Sequence, residues 1–338
     1  MLNIHLGHAC NFRCGYCLQT IHADGANGRH AVDPFIEHVV PFVQAQDITE
    51  VAYWGGEPLL YWRRIKAIHE AFLDSGIAFN FVKFVTNGSL LTEEHGECLN
   101  AWGAFVVVSQ HEGVGEPRWD QVARLKRSSL SFLFHHGSLV AWPWFEGLKV
   151  LEDRFGRPFW PYVHWGRATD GCQPSYYLTL DDLDRHVPHL WDLARASLDG
   201  HRHAARVFAG HLRDWRATLN PEQSIPPLCH NDQHLSVDLA GNRYTCHHNV
   251  RPFARTGELF SGSGPRNEDE EKALVLSRRW IDSASCRSCP IRTWCRGNCH
   301  LSNTHDVDCR LSKEKHRVLA WLDAQEHGAN AQNLIEVF

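Results

Sequence analysis

The chain has 338 residues, enough for about two domains, and carries a formal net charge of −5. So small a charge, without a block of lysine and arginine, gives no indication of a surface for nucleic acid or anionic lipid. The N-terminal stretch MLNIHLGHAC lacks a basic region followed by a long apolar core, and no run of about 18 apolar residues occurs. These features predict a cytoplasmic protein that binds neither nucleic acid nor membrane.

Short apolar runs alternate with amphipathic stretches from residue 2 to about residue 220. This alternation predicts right-handed βαβ units and a parallel sheet, and six such units would form a partial (β/α)6 TIM-like barrel. The predicted strands are Leu2–Leu6, Val51–Trp54, Phe79–Val85, Ala104–Ser109, Leu130–Phe134 and Phe159–His164. The predicted helices are Pro34–Val43, Tyr61–Leu73, Thr92–Trp102, Trp119–Lys126, Trp144–Phe155, Leu180–Leu198 and His203–Leu219.

Beyond a linker at Pro221–Pro227 the character of the sequence changes. Residues 234–246 predict a hairpin that turns at Gly241-Asn242, and the stretch from there to Cys309 is rich in cysteine and weakly periodic. A segment with so little apolar periodicity is expected to need metals for its stability. We therefore predict a barrel at 1–220, a cysteine-rich domain at 221–325 and a C-terminal tail at 326–338.

The 12 cysteines are unevenly placed. Disulfide-rich scaffolds are usually small and secreted, so thiolates bound to metal explain these cysteines better. Three cysteines precede residue 18, seven lie between residues 229 and 309, and only Cys98 and Cys172 lie between these groups. This distribution predicts one metal site near each end of the chain.

The first group lies in HACNFRCGYCLQT, residues 8–20, where Cys10, Cys14 and Cys17 form a C-x3-C-x2-C run after the first predicted strand. Closed structural zinc sites need four ligands, whereas an iron–sulfur cubane held by three thiolates leaves one iron open. The spacing resembles that of the radical S-adenosylmethionine (SAM) superfamily, which has an aromatic residue before the last cysteine, here Tyr16.

The resemblance extends to the following strand ends. YWGGEPLL at residues 53–60 is similar to the family's GGEP motif, which implies that Gly55, Gly56, Glu57 and Pro58 hold the methionine amino group of SAM. Glycines allow close approach to the backbone, and a carboxylate accepts hydrogen bonds from an ammonium. VTNGSLL is similar to the family's TNG motif, with Thr86 and Asn87, and Ser109 matches a serine that contacts the SAM ribose. The family's serine-x-aspartate-glycine is replaced here by Ser-Gln-His-Glu-Gly.

This resemblance implies a mechanism. A [4Fe–4S] cluster with an open iron reduces bound SAM, and the resulting 5′-deoxyadenosyl radical abstracts hydrogen from the substrate. The protein positions and shields the radical.

The second cysteine group, with Gly241 between its first two members, resembles the seven-cysteine SPASM domain. The resemblance implies two auxiliary [4Fe–4S] clusters, the nearer held by Cys229, Cys246 and Cys299 and the farther by Cys286, Cys289, Cys295 and Cys309. Seven thiols leave the nearer cluster one ligand short, so its fourth position could be open or filled by substrate, by Cys172, or by His230, Asp232 or His234. The alternative is a zinc ribbon of Cys286, Cys289, Cys295 and Cys299.

Two residues are candidates for direct participation in catalysis. Cys172 follows the last barrel strand, where it could donate a hydrogen atom to a substrate radical, ligate iron, or be an ordinary loop cysteine. His247 follows Cys246 and could accept a proton near neutral pH. Sulfatase-maturing relatives carry a catalytic aspartate at the position of His247, and this departure argues against their activity.

The resulting hypothesis is a radical SAM/SPASM enzyme that installs a crosslink, a thioether or an epimerised centre in a ribosomally synthesised peptide. Its partners are the peptide, with or without a separate leader-binding protein, and an electron donor such as flavodoxin or ferredoxin. The alternatives are a sulfatase-type protein maturase, a dehydrogenase of a sugar-like small molecule, and, from another class, a zinc-stabilised binding protein.

Overall fold

The computed structural model describes residues 1–17, 31–110, 115–166, 172–218, 235–244, 255–258, 284–295 and 302–327. Its strands are β1 (Leu2–His5), β2 (Glu50–Trp54), β3 (Phe81–Thr86), β4 (Phe105–Ser109), β5 (Ser128–Phe134), β6 (Trp160–Trp165), β7 (Leu235–Asp238), β8 (Asn242–Tyr244) and β9 (Arg255–Glu258). Its α-helices are α1 (Val32–Ala45), α2 (Trp62–Asp74), α3 (Glu93–Ala101), α4 (Trp119–Val122), α5 (Trp142–Phe155), α6 (Leu180–Leu198), α7 (Arg202–Thr218), α8 (Ala284–Arg287), α9 (Arg292–Cys295) and α10 (His305–Glu326). All six predicted strands and all seven predicted helices are present, with ends shifted by a few residues.

The chain divides into two compact units. The first consists of Met1–Ser131 and Asn231–Ser277, and the second of Phe132–His230 and Arg278–Phe338. The division between the two units falls inside β5. It differs from the domain boundaries that the sequence predicts at residues 220 and 325, and those boundaries stay a prediction.

The first unit is built on a mostly parallel sheet. Its strands lie in the order β5-β4-β3-β2-β1-β7-β8-β9, and every neighbouring pair from β5 to β7 is parallel. This confirms the predicted α/β class with a parallel sheet. Strands β7 and β8 form the predicted hairpin, and Gly241 in its turn has φ of +79°. The sequence did not predict that β7 pairs in parallel with β1 and so extends the sheet.

The strand register separates two faces of this sheet. Because side chains alternate along a strand, paired residues of parallel neighbours point to the same face. One face is apolar, as in a helix-covered sheet, and includes Leu2, Ile4, Val51, Tyr53, Val82 and Phe84, each at most 3% exposed. The opposite face carries Asn3, Trp54 and Lys83; Trp54 Nε1 donates to Asn3 Oδ1 at 2.9 Å, and Lys83 Nζ lies 5.4 Å from the Trp54 ring centroid. This second face is therefore the polar side of the sheet.

The second unit is mainly helical. Glu152 of α5 is buried and accepts hydrogen bonds from His203 Nε2 at 3.0 Å, Arg206 Nη1 at 2.8 Å and the Phe159 backbone at 2.8 Å. Burial tends to raise the pKa of Glu152, but these donors outweigh it and the pKa is lowered. Helix α10, which the weak periodicity did not predict, packs on α7 through a hydrogen bond of 2.9 Å from Trp215 Nε1 to His316 Nδ1.

Within the described ranges, no helix combines the length and the apolar character needed to span a bilayer.

Candidate functional site

The three N-terminal cysteines lie in the loop that follows β1. None of the three forms a disulfide, and Cys14 and Cys17 are partly exposed. The Phe12 backbone N–H donates to Cys10 Sγ at 3.4 Å, and Cys17 N donates to the Cys14 carbonyl at 3.1 Å. Although Cys10 is exposed as a residue, desolvation of its sulfur, with smaller contributions from Glu57, Cys14 and Cys17, raises its pKa to about 11. The loop therefore brings the three thiols close enough to influence one another's ionisation.

These thiols fit an iron–sulfur cluster better than a single ion. Among the described residues, no group of three ligating side chains has the geometry to hold one metal ion. A cubane does not require that geometry, because each cysteine binds a different iron and the sulfurs need not converge on one point. An all-thiolate donor set is the one that iron–sulfur clusters use, and cluster binding would displace the thiol protons.

Backbone contacts join the GGEP segment directly to the cysteine loop. Gly56 N donates to the Gly7 carbonyl at 3.0 Å, and Glu57 N donates to the Ala9 carbonyl at 2.9 Å. A Cβ on Gly56 would lie 2.3 Å from the Ala9 oxygen, which is closer than real contacts allow. Gly55 and Gly56 thus allow the backbone of the cysteine loop to pack closely against the GGEP segment. That these glycines also contact a ligand stays a prediction.

Glu57 fastens the end of β2 to the end of β3. Its side chain is 1% exposed; Oε1 accepts from Thr86 Oγ1 at 2.7 Å and Leu59 N at 3.1 Å, and Oε2 accepts from Asn87 N at 2.8 Å. Burial raises the pKa of Glu57 despite these three donors. Each carboxylate oxygen can accept about two hydrogen bonds, so Oε2 has capacity for a further donor such as an ammonium. Pro58, which follows, starts a 3-10 helix over Pro58–Tyr61.

A side-chain network links the TNG segment to the cysteine loop. Asn87 Nδ2 donates to Asn11 Oδ1 at 2.9 Å, Asn11 Nδ2 donates to Ser89 Oγ at 2.9 Å, and Ser89 Oγ donates to Asn87 Oδ1 at 2.7 Å. Sequence reasoning did not select Asn11 or Ser89, although both lie inside the motifs that it used. The network holds the first and third strand ends at fixed separation.

Two tyrosines contact the cysteine loop. Tyr16 forms a side-chain hydrogen bond with Cys14, and desolvation raises the pKa of its phenol. Tyr61, which the sequence interpretation missed, accepts a hydrogen bond from Ala9 N at 2.9 Å. A Cβ on Gly7, where φ is +146°, would lie 2.4 Å from the Tyr61 hydroxyl. Tyr61 therefore determines the path of the backbone that leads to Cys10.

Ser109 lies at the end of β4, in register with Ser131 of β5. Its contact with a SAM ribose stays a prediction.

The cysteines near the C-terminus lie in the second unit. Cys286 and Cys295 lie in α8 and α9, Cys289 lies between these helices, and Cys309 lies in α10. Desolvation raises the pKa of Cys309, with smaller contributions from Lys313, which lowers it, and from Cys295, Cys289 and Cys286, which raise it. The four cysteines assigned to the farther cluster thus lie near enough for their charges to interact, and their binding of a cluster stays a prediction.

Several predicted residues lie outside the described residues: Cys229, Cys246, Cys299, His230, Asp232, His234 and His247. The ligands of the nearer auxiliary cluster, the zinc-ribbon alternative and the proton-accepting role of His247 accordingly stay predictions. Cys172 is partly exposed, and its Sγ contacts the Gln173 carbonyl at 3.6 Å. Its three alternative roles also stay predictions.

These contacts define the class of protein. It is an α/β protein with a parallel sheet, in which a loop with three cysteines follows one strand and is hydrogen-bonded to a buried glutamate that follows the next strand. Residues 4–109, from β1 to β4, match the family model of the radical SAM superfamily. This part of the chain is therefore similar to the radical SAM domain.

Solved structures extend the likeness beyond that domain. Native anSMEcpe with bound AdoMet and Kp18Cys peptide has a TM-score of 0.69 at 16% identity, over 100% of this chain and 99% of that chain. SuiB of Streptococcus suis, bound to S-adenosylmethionine, has a TM-score of 0.59 at 15% identity, over 88% of this chain and 72% of that chain. No curated protein sequence matches the chain significantly. The fold is therefore shared with these two proteins over most of the chain.

Proposed function

We propose that this radical SAM enzyme modifies a ribosomally synthesised peptide by hydrogen abstraction. The observation that carries the proposal is the interlocked site in which Glu57, Thr86 and Asn87 hold two strand ends against the three-cysteine loop. The peptide is supported by the fold shared with anSMEcpe, which was solved with bound AdoMet and peptides. The modification is a crosslink, a thioether or an epimerised centre.

Different residues of the chain would bind the cluster, orient SAM and hold the cysteine loop in position. Cys10, Cys14 and Cys17 would hold a [4Fe–4S] cluster, which supplies the electron that cleaves SAM to the 5′-deoxyadenosyl radical. Glu57 Oε2, with its remaining acceptor capacity, would orient the SAM ammonium, and Ser109 would contact the ribose. Asn11 and Ser89 keep the loop in place during this step, since a displaced loop would misalign the reacting groups.

The second cysteine group would hold auxiliary clusters. Cys286, Cys289, Cys295 and Cys309 supply four thiolates for one [4Fe–4S] cluster, and their mutual electrostatic influence supports that grouping. Cys229, Cys246 and Cys299 would hold the other. Such clusters persist in a reducing compartment, which is consistent with the predicted cytoplasmic location and with an electron donor of the flavodoxin or ferredoxin type.

Anaerobic reconstitution tests this function. The purified protein, with SAM and dithionite, is expected to contain iron and sulfide and to form 5′-deoxyadenosine. Co-expression with short peptides encoded beside its gene is expected to give a product that has lost two hydrogens, or that gains deuterium from heavy water at unchanged connectivity if a centre is epimerised. Zinc in place of iron, with no 5′-deoxyadenosine, would support the binding-protein alternative.

The full-length likeness to anSMEcpe favours one second candidate, maturation of a serine or cysteine in a target protein. Conversion of a serine- or cysteine-containing peptide to an aldehyde, detected by hydrazine labelling, would establish it.

A further inference from the structure

A cavity opens beside the cysteine loop, at the start of α2. It has a volume of about 540 Å³, and its lining includes Ala9, Leu60, Tyr61, Arg63 and Arg64. All of these residues belong to the first compact unit. The proposed mechanism assigns no role to the arginines or to Leu60.

The chemistry of this surface is basic and apolar. Arg63 is exposed, and Leu60 is 47% exposed, one of the few large apolar side chains so open to solvent in the described part of the chain. The Arg64 guanidinium lies 5.6 Å from the Tyr61 ring centroid. No acidic residue is among the described residues that line the cavity. An exposed apolar centre beside two arginines is suited to a partner with acidic groups around an apolar contact.

This surface is connected directly to the cysteine loop. Ala9 lines the cavity, its N–H donates to the Tyr61 hydroxyl at 2.9 Å, and the next residue is Cys10. Cys10 is itself exposed. A redox group bound here would lie on the same side of the sheet as the cysteine loop and close to it. Because electron transfer slows steeply with distance, this position favours electron transfer to a cluster held by the loop.

We propose that this surface docks an acidic one-electron carrier protein of the flavodoxin or ferredoxin type, which reduces the cluster held by Cys10, Cys14 and Cys17. This docking site rests on the proposed function, and it specifies where the electron donor of that function binds. In the step the carrier loses one electron, the cluster gains one, and no bond or proton changes. Such encounters bury little area and depend on charge steering, so the exposed Arg63 sets the association rate and Leu60 the apolar contact.

The test compares two reductants on the anaerobic holoenzyme. Reduced flavodoxin and a reduced [2Fe–2S] ferredoxin serve as the protein probes and dithionite as the small reductant, and cluster reduction is followed by stopped-flow absorbance. For Arg63→Glu we expect the second-order rate with flavodoxin at low salt to fall by about fivefold or more, and the difference to shrink at high salt. The Kd of oxidised flavodoxin, measured without turnover, is expected to rise by a similar factor. Leu60→Ser is expected to weaken binding at both salt concentrations.

The matched control is Lys149→Glu, an equal charge reversal at an exposed residue of α5. Iron content and circular dichroism verify that each variant is folded and loaded, and Arg63→Gln gives a milder variant if the reversal fails this check. Equal rates for Arg63→Glu and Lys149→Glu would overturn the docking site, as would wild-type protein that accepts electrons from dithionite but from neither carrier. An equal loss with dithionite would show that Arg63 acts on the cluster and not on docking. Wild-type protein without 5′-deoxyadenosine under dithionite would instead overturn the proposed function.

Discussion

Thr86 Oγ1 donates a hydrogen bond of 2.7 Å to Glu57 Oε1, and both residues are at most 2% exposed. This bond joins the carboxyl ends of β2 and β3 in the interior of the first unit. Because Glu57 N also bonds to the cysteine loop, one buried carboxylate residue links three strand ends. The relationship explains why two motifs that are far apart in the sequence form a single site.

Glu57→Gln is expected to destabilise the metal-free chain by about 1–3 kcal/mol, because an amide NH2 must then face a backbone or hydroxyl donor in a buried position. SAM binding should weaken as well, since the proposed acceptor of the SAM ammonium loses its charge. Chemical denaturation and SAM titration measure the two effects. Thr86→Ser, which keeps the hydroxyl, is the control and should change both little; a stable Glu57→Gln variant with normal SAM affinity would contradict the assignment.

Gly56→Ala is expected to prevent normal assembly of the first cluster, because the added Cβ would lie 2.3 Å from the Ala9 oxygen and that atom belongs to the backbone. Iron bound per chain and the unfolding midpoint should both fall. Gly147→Ala is the control: Gly147 lies inside α5, and a Cβ added there would meet nothing within 4 Å, so alanine should be neutral or stabilising by about 0.5–1 kcal/mol. Normal iron content in Gly56→Ala would show that the loop can move aside.

Cys309→Ala is expected to lower the iron content by about four atoms per chain, because a cluster with three of its four thiolates is readily lost. The cluster held by Cys10, Cys14 and Cys17 should remain and should still support formation of 5′-deoxyadenosine. Iron analysis and electron paramagnetic resonance make the comparison. Cys98→Ala, a cysteine outside both groups, should leave the iron content unchanged, and an unchanged content in Cys309→Ala would argue against this cluster.

Buried histidines predict that the metal-free chain loses stability in mild acid. Desolvation lowers the pKa of His69, His186 and His316 to about 4 each, from an ordinary value of 6.5. Because each folded pKa lies below the unfolded one, the unfolded chain binds protons first as the pH falls. Stability is therefore complete above about pH 6.5 and declines down to about pH 4, by on the order of 3 kcal/mol per histidine.

Denaturation at a series of pH values measures this decline. His316→Gln should flatten the profile, whereas His327→Gln, at an exposed histidine, should leave it unchanged. A profile that is flat between pH 6.5 and 4 in the wild-type protein would show that these histidines are not buried in neutral form.

Much of the fold could be predicted from the sequence because the signals involved are local. Alternating apolar runs predicted β1 to β6 and the helices between them, and Gly241 predicted the turn between β7 and β8. The cysteine spacing identified the loop after β1, since ligand spacing depends on a few neighbouring residues. Helix α10 was missed because its apolar periodicity is weak.

Only the tertiary structure decided how these pieces meet. The bond from Ala9 to Tyr61 spans 52 positions, and those from Asn87 to Asn11 and from Asn11 to Ser89 span 76 and 78. The pairing of β7 with β1 is longer-ranged still. Such contacts depend on strand register and on packing across the whole sheet, which no local pattern encodes. The sequence therefore indicated candidate residues for the chemistry, and the tertiary structure determined that Glu57, Asn11 and Tyr61 hold the cysteine loop in place.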